Sequence, residues 1–107
     1  MGSAFMSRGG GGNSKPNLVT GSGDITVTLV DNTEYLYDNV TKLEINFPSE
    51  NPKSFECWME IKIGSSNITA GFPNTARFIN TDSTIFSANT TYEISIKNGT
   101  VVYAAVL

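Results

Sequence analysis

The sequence has 107 residues, of which 39% are hydrophobic, and 7 Lys and Arg stand against 10 Asp and Glu, so its formal net charge at pH 7 is −3. This length predicts one domain, and the hydrophobic fraction suffices for a packed core. With no His and a single Cys, the sequence excludes a Cys/His zinc site, a Ser-His-Asp triad and an intramolecular disulfide. It contains no cluster of basic residues and no apolar run near the roughly 20 residues of a membrane-spanning helix, so we expect neither a nucleic-acid partner nor a membrane.

The first twenty residues are rich in Gly, Ser and Asn and include four consecutive glycines, Gly9 to Gly12. Such a segment buries too little apolar surface to offset the entropy lost on ordering. We therefore predict a flexible leader over residues 1–20 and a folded domain over residues 21–107. The residues ahead of Met6 have the composition of an expression remnant.

From Gly21 onward apolar and polar residues alternate with a period of two, which predicts strands with one buried face. The clearest strand runs from Phe55 to Ile63 and places Cys57 on its apolar face, where the thiol is expected to act as a small buried hydrophobe. The other predicted strands are Ile25 to Leu29, Tyr35 to Tyr37, Leu43 to Phe47, Ile68 to Ala70, Ala76 to Ile79, Thr84 to Phe86, Tyr92 to Lys97 and Val101 to Val106.

Short turn sequences separate these runs, and the most distinctive are Asp31-Asn32, Asp38-Asn39 and Asn98-Gly99. The last is flanked by alternating strands and predicts a two-residue type I′ hairpin. Many short strands at regular spacing favour an all-β fold: a single antiparallel β-sandwich, Ig-like or jelly-roll-like, with a small barrel as the alternative.

The chain ends in an almost unbroken apolar run over residues 101–107. A strand covered on both faces has this composition, and so does an edge strand that pairs with a second subunit. We interpret it as a packed terminal strand and keep a homo-oligomer as the alternative.

The carboxylates do not form a convincing catalytic or metal site. Glu56 and Glu60 lie four residues apart on a strand, about 13 Å at a rise near 3.3 Å per residue, which is too far for the usual glycosidase pair. Asp31, Glu34 and Asp38 lack the spacing of a calcium loop, and the two Asp residues are expected to cap turns. No enzymatic activity, catalytic residue, metal or cofactor is therefore predicted.

Trp58 is the most informative single residue, because its parity places it on the polar face of the strand from Phe55 to Ile63. An exposed Trp can stack on a sugar ring or anchor a protein interface. The alternative is that a loop or a second layer covers it. Tyr35, Tyr37 and Tyr103 are predicted to join Trp58 in a binding surface if their strands are its neighbours.

Three segments, Asp24 to Tyr35, Phe55 to Trp58 and Thr91 to Gly99, resemble parts of a small β-module of tailed-bacteriophage virion proteins from phages of Gram-positive bacteria. In that module an L-x-D-N-T-E-Y hairpin opens the domain, a P-x-x-F segment precedes an aromatic strand, and Y-E-I-S-I-x-N-G closes it. The three segments correspond to these features in chain order, and the resemblance extends over residues 21–107.

The resemblance implies a non-enzymatic structural or adhesion module of head-fibre, decoration or tail-appendage type, located in the virion and assembled in the host cytoplasm. Its expected partners are other virion proteins of the capsid or tail, further copies of itself, or a host-surface glycan. The alternative expectation is a carbohydrate-binding module that stacks a sugar on Trp58.

Overall fold

A computed structural model describes residues 15–50, 54–79, 84–98 and 100–107, and within these ranges it contains eight strands and no helix. The predicted all-β class is confirmed. The strands are β1 (Asn17–Thr28), β2 (Thr33–Asn46), β3 (Glu56–Ile63), β4 (Ile68–Thr69), β5 (Arg77–Phe78), β6 (Ile85–Phe86), β7 (Thr91–Lys97) and β8 (Val101–Val106). Six of them form one sheet in the order β1-β2-β3-β7-β8-β5, and β4 pairs with β6 in a small second sheet.

The strand positions agree with the periodicity of the sequence except at two places: β2 runs without a break through the predicted strands over 35–37 and 43–47, and the N-terminal boundary is shifted. Strand β1 begins at Asn17, so the last four residues of the predicted leader belong to the sheet. Residues 1–14 of the predicted leader lie outside the described residues.

Pairing in the large sheet is mixed, whereas a wholly antiparallel sandwich opened by a hairpin over residues 24–35 was expected; those residues instead join two parallel strands. Strand β2 pairs in parallel with both β1 and β3, β7 pairs antiparallel with β3 and β8, and β5 pairs in parallel with β8. Alternation in a sequence shows which face of a strand is buried, but it does not show the direction of the neighbouring strand. The parallel pairs were therefore not visible in the sequence.

The parallel pairing of β1 with β2 requires the chain to coil. Asn17 lies opposite Thr33 and Thr28 lies opposite Asn46, yet only residues 29–32 connect the two strands. Four residues span at most about 14 Å, whereas twelve extended residues span about 40 Å. Strand β1 must therefore bend so that its two ends approach each other. Each half of β2 stacks on the matching half of β1, sixteen to eighteen residues further along the chain.

The bends lie where the backbone becomes left-handed. Gly23 has φ of 77° and Asn39 has φ of 47°, and the pairing register shifts at both residues. Glycine adopts positive φ without steric cost, and Asn does so more readily than other residues that carry a Cβ. The predicted turn at Asp38-Asn39 is thus a bend within a continuous strand. The Asp38 carboxylate accepts a hydrogen bond from the Asn39 amide at 2.9 Å.

The coil encloses the core and gives the fold its sandwich-like layers. The second halves of β1 and β2 supply Ile25, Leu43 and Ile45, and the first half of β2 together with β3 supplies Tyr35 and Met59; all five belong to one buried cluster. The predicted inward residues of β3 are all buried, namely Phe55, Cys57, Met59, Ile61 and Ile63. The periodicity of this strand is confirmed.

The connection between β7 and β8 is longer than predicted. Lys97 lies opposite Val101, so three residues join the strands where a two-residue type I′ turn was expected. The Thr100 amide donates to the Lys97 carbonyl at 3.2 Å and closes the turn. Asn98 has the positive φ that the Asn-Gly sequence indicated, at 55°.

Candidate functional site

One row of side chains crosses four strands on the face of the large sheet that is turned away from the core. We call this face, on β2, β3, β7 and β8, the outer face. Register pairs Glu34 with Trp58, Trp58 with Ser95, and Ser95 with Tyr103. Because directly opposite residues in a sheet point to the same side, Trp58 and Tyr103 share the outer face, two strand spacings or about 10 Å apart.

Trp58 lies on the predicted face but does not present its ring to solvent. Only 6% of its surface is exposed. This burial agrees with the alternative expectation, in which a loop or a second layer covers the ring. A sugar can stack on an aromatic ring only where one ring face is accessible, so the buried ring of Trp58 offers no such platform in this conformation.

Tyr35 and Tyr37 do not join Trp58, and this part of the predicted surface needs correction. Strand β2 is indeed a neighbour of β3, but Tyr35 lies opposite Met59 and Tyr37 lies opposite Ile61, so both tyrosines point into the core. Their ring centroids are 5.8 Å apart, and the Tyr35 hydroxyl accepts a hydrogen bond from the Val30 amide at 2.9 Å. Burial raises the pKa of Tyr35 above its usual value and that of Tyr37 to about 12.

Tyr103 is the one predicted aromatic residue with substantial exposure, at 44% of its surface. It borders a shallow groove of about 260 Å³ that is also lined by Ile79, Ser95 and Lys97. Ile79 follows β5 directly and is 67% exposed. The groove therefore combines an aromatic ring, an exposed aliphatic side chain and a cation, which suits contact with another surface better than chemistry on a small substrate.

The outer face is acidic among its described residues. It carries two lysines and five carboxylates: Lys62, Lys97, Glu34, Asp38, Glu56, Glu60 and Glu93. Glu60 and Glu93 lie directly opposite each other, and the Glu93 Oε2 atom is buried without a hydrogen-bond partner in the described part of the chain. Opposed like charges are unfavourable in a sheet.

The Cys57 thiol and the Asp31 carboxylate have structural roles. The Cys57 thiol is fully buried, and burial, with smaller contributions from the charges of Asp31 and Glu56, raises its pKa to about 12, so it stays protonated at neutral pH. Asp31 accepts a hydrogen bond from the Glu56 amide at 2.9 Å and so ties the loop after β1 to β3. Within the described ranges no three His, Cys, Asp or Glu residues lie close enough to hold a metal ion.

Ile79, Ser95 and Lys97 could not be placed beside Tyr103 from the sequence alone. The alternation of β7 placed Ser95 and Lys97 on the polar face, which is correct, but the position of Ile79 depends on β5 pairing in parallel with β8. That pairing brings together residues more than twenty positions apart, and no local pattern indicates it.

Comparison with known proteins adds no relative: no family model, no curated protein and no solved structure matches this chain. Within the described residues, no helix has the length and apolar character needed to cross a bilayer.

Proposed function

We propose that this chain is a non-enzymatic structural and attachment module of a bacteriophage virion, and that it contacts a capsid or tail protein through the groove beside Tyr103. The proposal takes the virion assignment from the resemblance in the segments 24–35, 55–58 and 91–99. The groove supplies the contact surface.

The observation that carries the attachment surface is the concentration of exposed apolar side chains around β8. Tyr103 on β8 and Ile79 at the end of the neighbouring β5 lie on the outer face of the sheet, and Leu107 follows β8 with the same parity as Tyr103; Val106 is exposed too, but it lies opposite Tyr92 on the other face. Scattered surface hydrophobes are ordinary, whereas several together favour an interaction site. Aromatic side chains are also enriched among the residues that dominate binding energy.

The coiled architecture supports a passive mechanical role. Strands β1, β2 and β3 stack in parallel around a continuous core, and β7 and β8 extend the same sheet by antiparallel pairing. Backbone hydrogen bonds then run across the whole sheet and hold the groove on a rigid frame. Asp31 and Asp38 accept backbone hydrogen bonds and the Cys57 thiol is buried, which supports a module that needs no reactive group.

The test is complementation of a phage that lacks the gene for this chain, followed by gradient purification of the particles and detection of the chain with an antibody. We expect the wild-type chain to co-purify with particles. The double variant Ile79→Ser and Tyr103→Ser should reduce its occupancy more than tenfold, because a fully buried large apolar side chain contributes about 1.5–3 kcal/mol.

The matched control is Val30→Ser, which removes an exposed apolar side chain from the loop after β1. It should leave occupancy unchanged. Absence of the wild-type chain from purified particles would refute the virion assignment, and equal occupancy of the double variant would refute the groove.

The carbohydrate-binding alternative makes a different prediction. A glycan array on which binding is lost with Tyr103→Ala, while purified particles carry no copy of the chain, would favour it over attachment to another virion protein. Loss with Trp58→Ala alone, in a variant that remains folded, would require the Trp58 ring to become accessible on binding.

A further inference from the structure

Strand β1 is the edge of the large sheet in the described part of the chain, and it is unusually open. It is twelve residues long, is hydrogen-bonded on one side to β2, and contains one charged residue, Asp24. Natural sheets generally protect such edges with charges, proline or short strands. Here Leu18 and Val19 are 60% and 39% exposed.

The direction of the free backbone groups follows from the register. The Asn17 amide donates to the Asn32 carbonyl, so Asn17 and alternate residues after it face β2. The N–H and C=O groups of Leu18, Thr20 and Ser22 therefore point to the open side. The register to β2 is regular over residues 17–22, which leaves these three residues as an even row of donors and acceptors.

We propose that two copies of this chain pair antiparallel through residues 17–22 of β1, about a two-fold axis at Thr20. A two-fold axis perpendicular to a sheet keeps its inner and outer faces aligned. With the axis at Thr20, that residue pairs with its symmetry mate and Leu18 pairs with Ser22 of the other copy. All three outward residues then exchange both backbone hydrogen bonds, which makes six bonds in total.

Side-chain complementarity favours this register. It places Val19 of each copy opposite Gly21 of the other, on the core side of the sheet. The Tyr37 ring lies next to Gly21, at 3.2 Å from where a Cβ would stand. The half-exposed Val19 would therefore pack against the Tyr37 ring that covers Gly21, and the two cores would meet across the interface.

Charge is also complementary in this arrangement. Lys15 precedes β1 and Asp24 lies past the bend, and both are exposed. The pairing places Lys15 of one copy within one position of Asp24 of the other, twice per dimer. Because a six-residue pair buries less than a standard interface, we expect a weak dimer with a Kd on the order of 100 µM, further weakened by salt.

The test is sedimentation equilibrium of the full chain from roughly 10 µM to 1 mM, with Thr20→Pro as the disrupting variant. Proline removes the central outward N–H and leaves the bonds to β2 in place, because the Thr20 amide does not face β2. We expect at least a tenfold weaker association and an unchanged circular dichroism spectrum.

The control is Thr26→Pro. The Leu29 amide donates to the Asn46 carbonyl, so by the same alternation Thr26 also directs its amide to the open side, but beyond the paired segment. It should dimerise like the wild type. The proposal would be overturned if the wild-type chain were monomeric at 1 mM, or if Thr20→Pro associated as strongly as the wild type. It would also be overturned if the double variant Ile79→Ser and Tyr103→Ser no longer dimerised. None of these outcomes depends on virion attachment, so the two proposals can fail separately.

Discussion

The bend at Asn39 can be tested by separating the effect of its backbone conformation from that of its side chain. Asn39 has φ of 47° and an exposed side chain. Left-handed backbone costs an ordinary L-residue about 1–2 kcal/mol, and Asn tolerates it better than most. Asn39→Ala should therefore lower the free energy of unfolding by about 1 kcal/mol, whereas Asn39→Gly should change it by less than about 0.5 kcal/mol, since glycine relieves the strain but adds freedom to the unfolded chain.

The assay is urea unfolding monitored by circular dichroism, with the melting temperature as a second measure. A loss of 1 kcal/mol corresponds to about 4–8 °C for a domain of this size. Asn46→Ala is the matched control, because Asn46 is an exposed Asn at the end of β2 and is absent from the residues with positive φ. If Asn39→Gly destabilised the protein as much as Asn39→Ala did, the side-chain contacts of Asn39 would stabilise the bend. The explanation by backbone conformation would then be refuted.

Three further predictions concern the core and the buried rings. The fluorescence of Trp58, the one Trp in the sequence, should be blue-shifted and shielded from acrylamide until urea unfolds the chain; red-shifted, freely quenched emission of the native protein would contradict its burial. The pKa values of Tyr37 and Cys57 are about 12 in the folded protein against 10.0 and 9.0, so the unfolded chain releases these protons first. The free energy of unfolding should hold below about pH 9 and fall towards pH 12, and Tyr37→Phe should flatten this fall in urea titrations. Met59→Ala should cost about 2–5 kcal/mol and Met59→Leu less than about 1.5 kcal/mol; equal midpoints in urea would argue against a tightly packed site.

The sequence was sufficient to predict which residues of a strand face the core. Alternation identified the buried side of β3 and of β7, because a strand with one buried face repeats every two residues whatever its neighbours are. The turn residues were equally informative. Asn32, Asn39 and Asn98, each in a predicted turn, all have positive φ.

Neighbour relations could not be predicted, because they depend on pairing between distant segments. The parallel stacking of β1 on β2 follows from a bend at Gly23. The local sequence shows a glycine within a strand at this position, but it does not show that the strand bends there. The residues that meet at the candidate site could not be predicted for the same reason. The positions of Tyr35 and Tyr37 in the core, the burial of Trp58 and the placement of Ile79 beside Tyr103 all depend on the assembled sheet.

The coil formed by β1 and β2 also bears on how such a molecule changes in length. Residues 17–32 make one turn, whose strand pairing is to β2 in the turn beneath it, while Asp31 and Asn32 each also share a hydrogen bond with Glu56 of β3. An additional turn inserted after Asn32 would raise the stack by one strand spacing, about 4.8 Å, and would leave the pairing among β3, β7, β8 and β5 unchanged if the new turn supplied the two bonds to Glu56. Growth by whole turns at this end would move any molecule bound to β1 away from the groove, in steps of one strand spacing per turn.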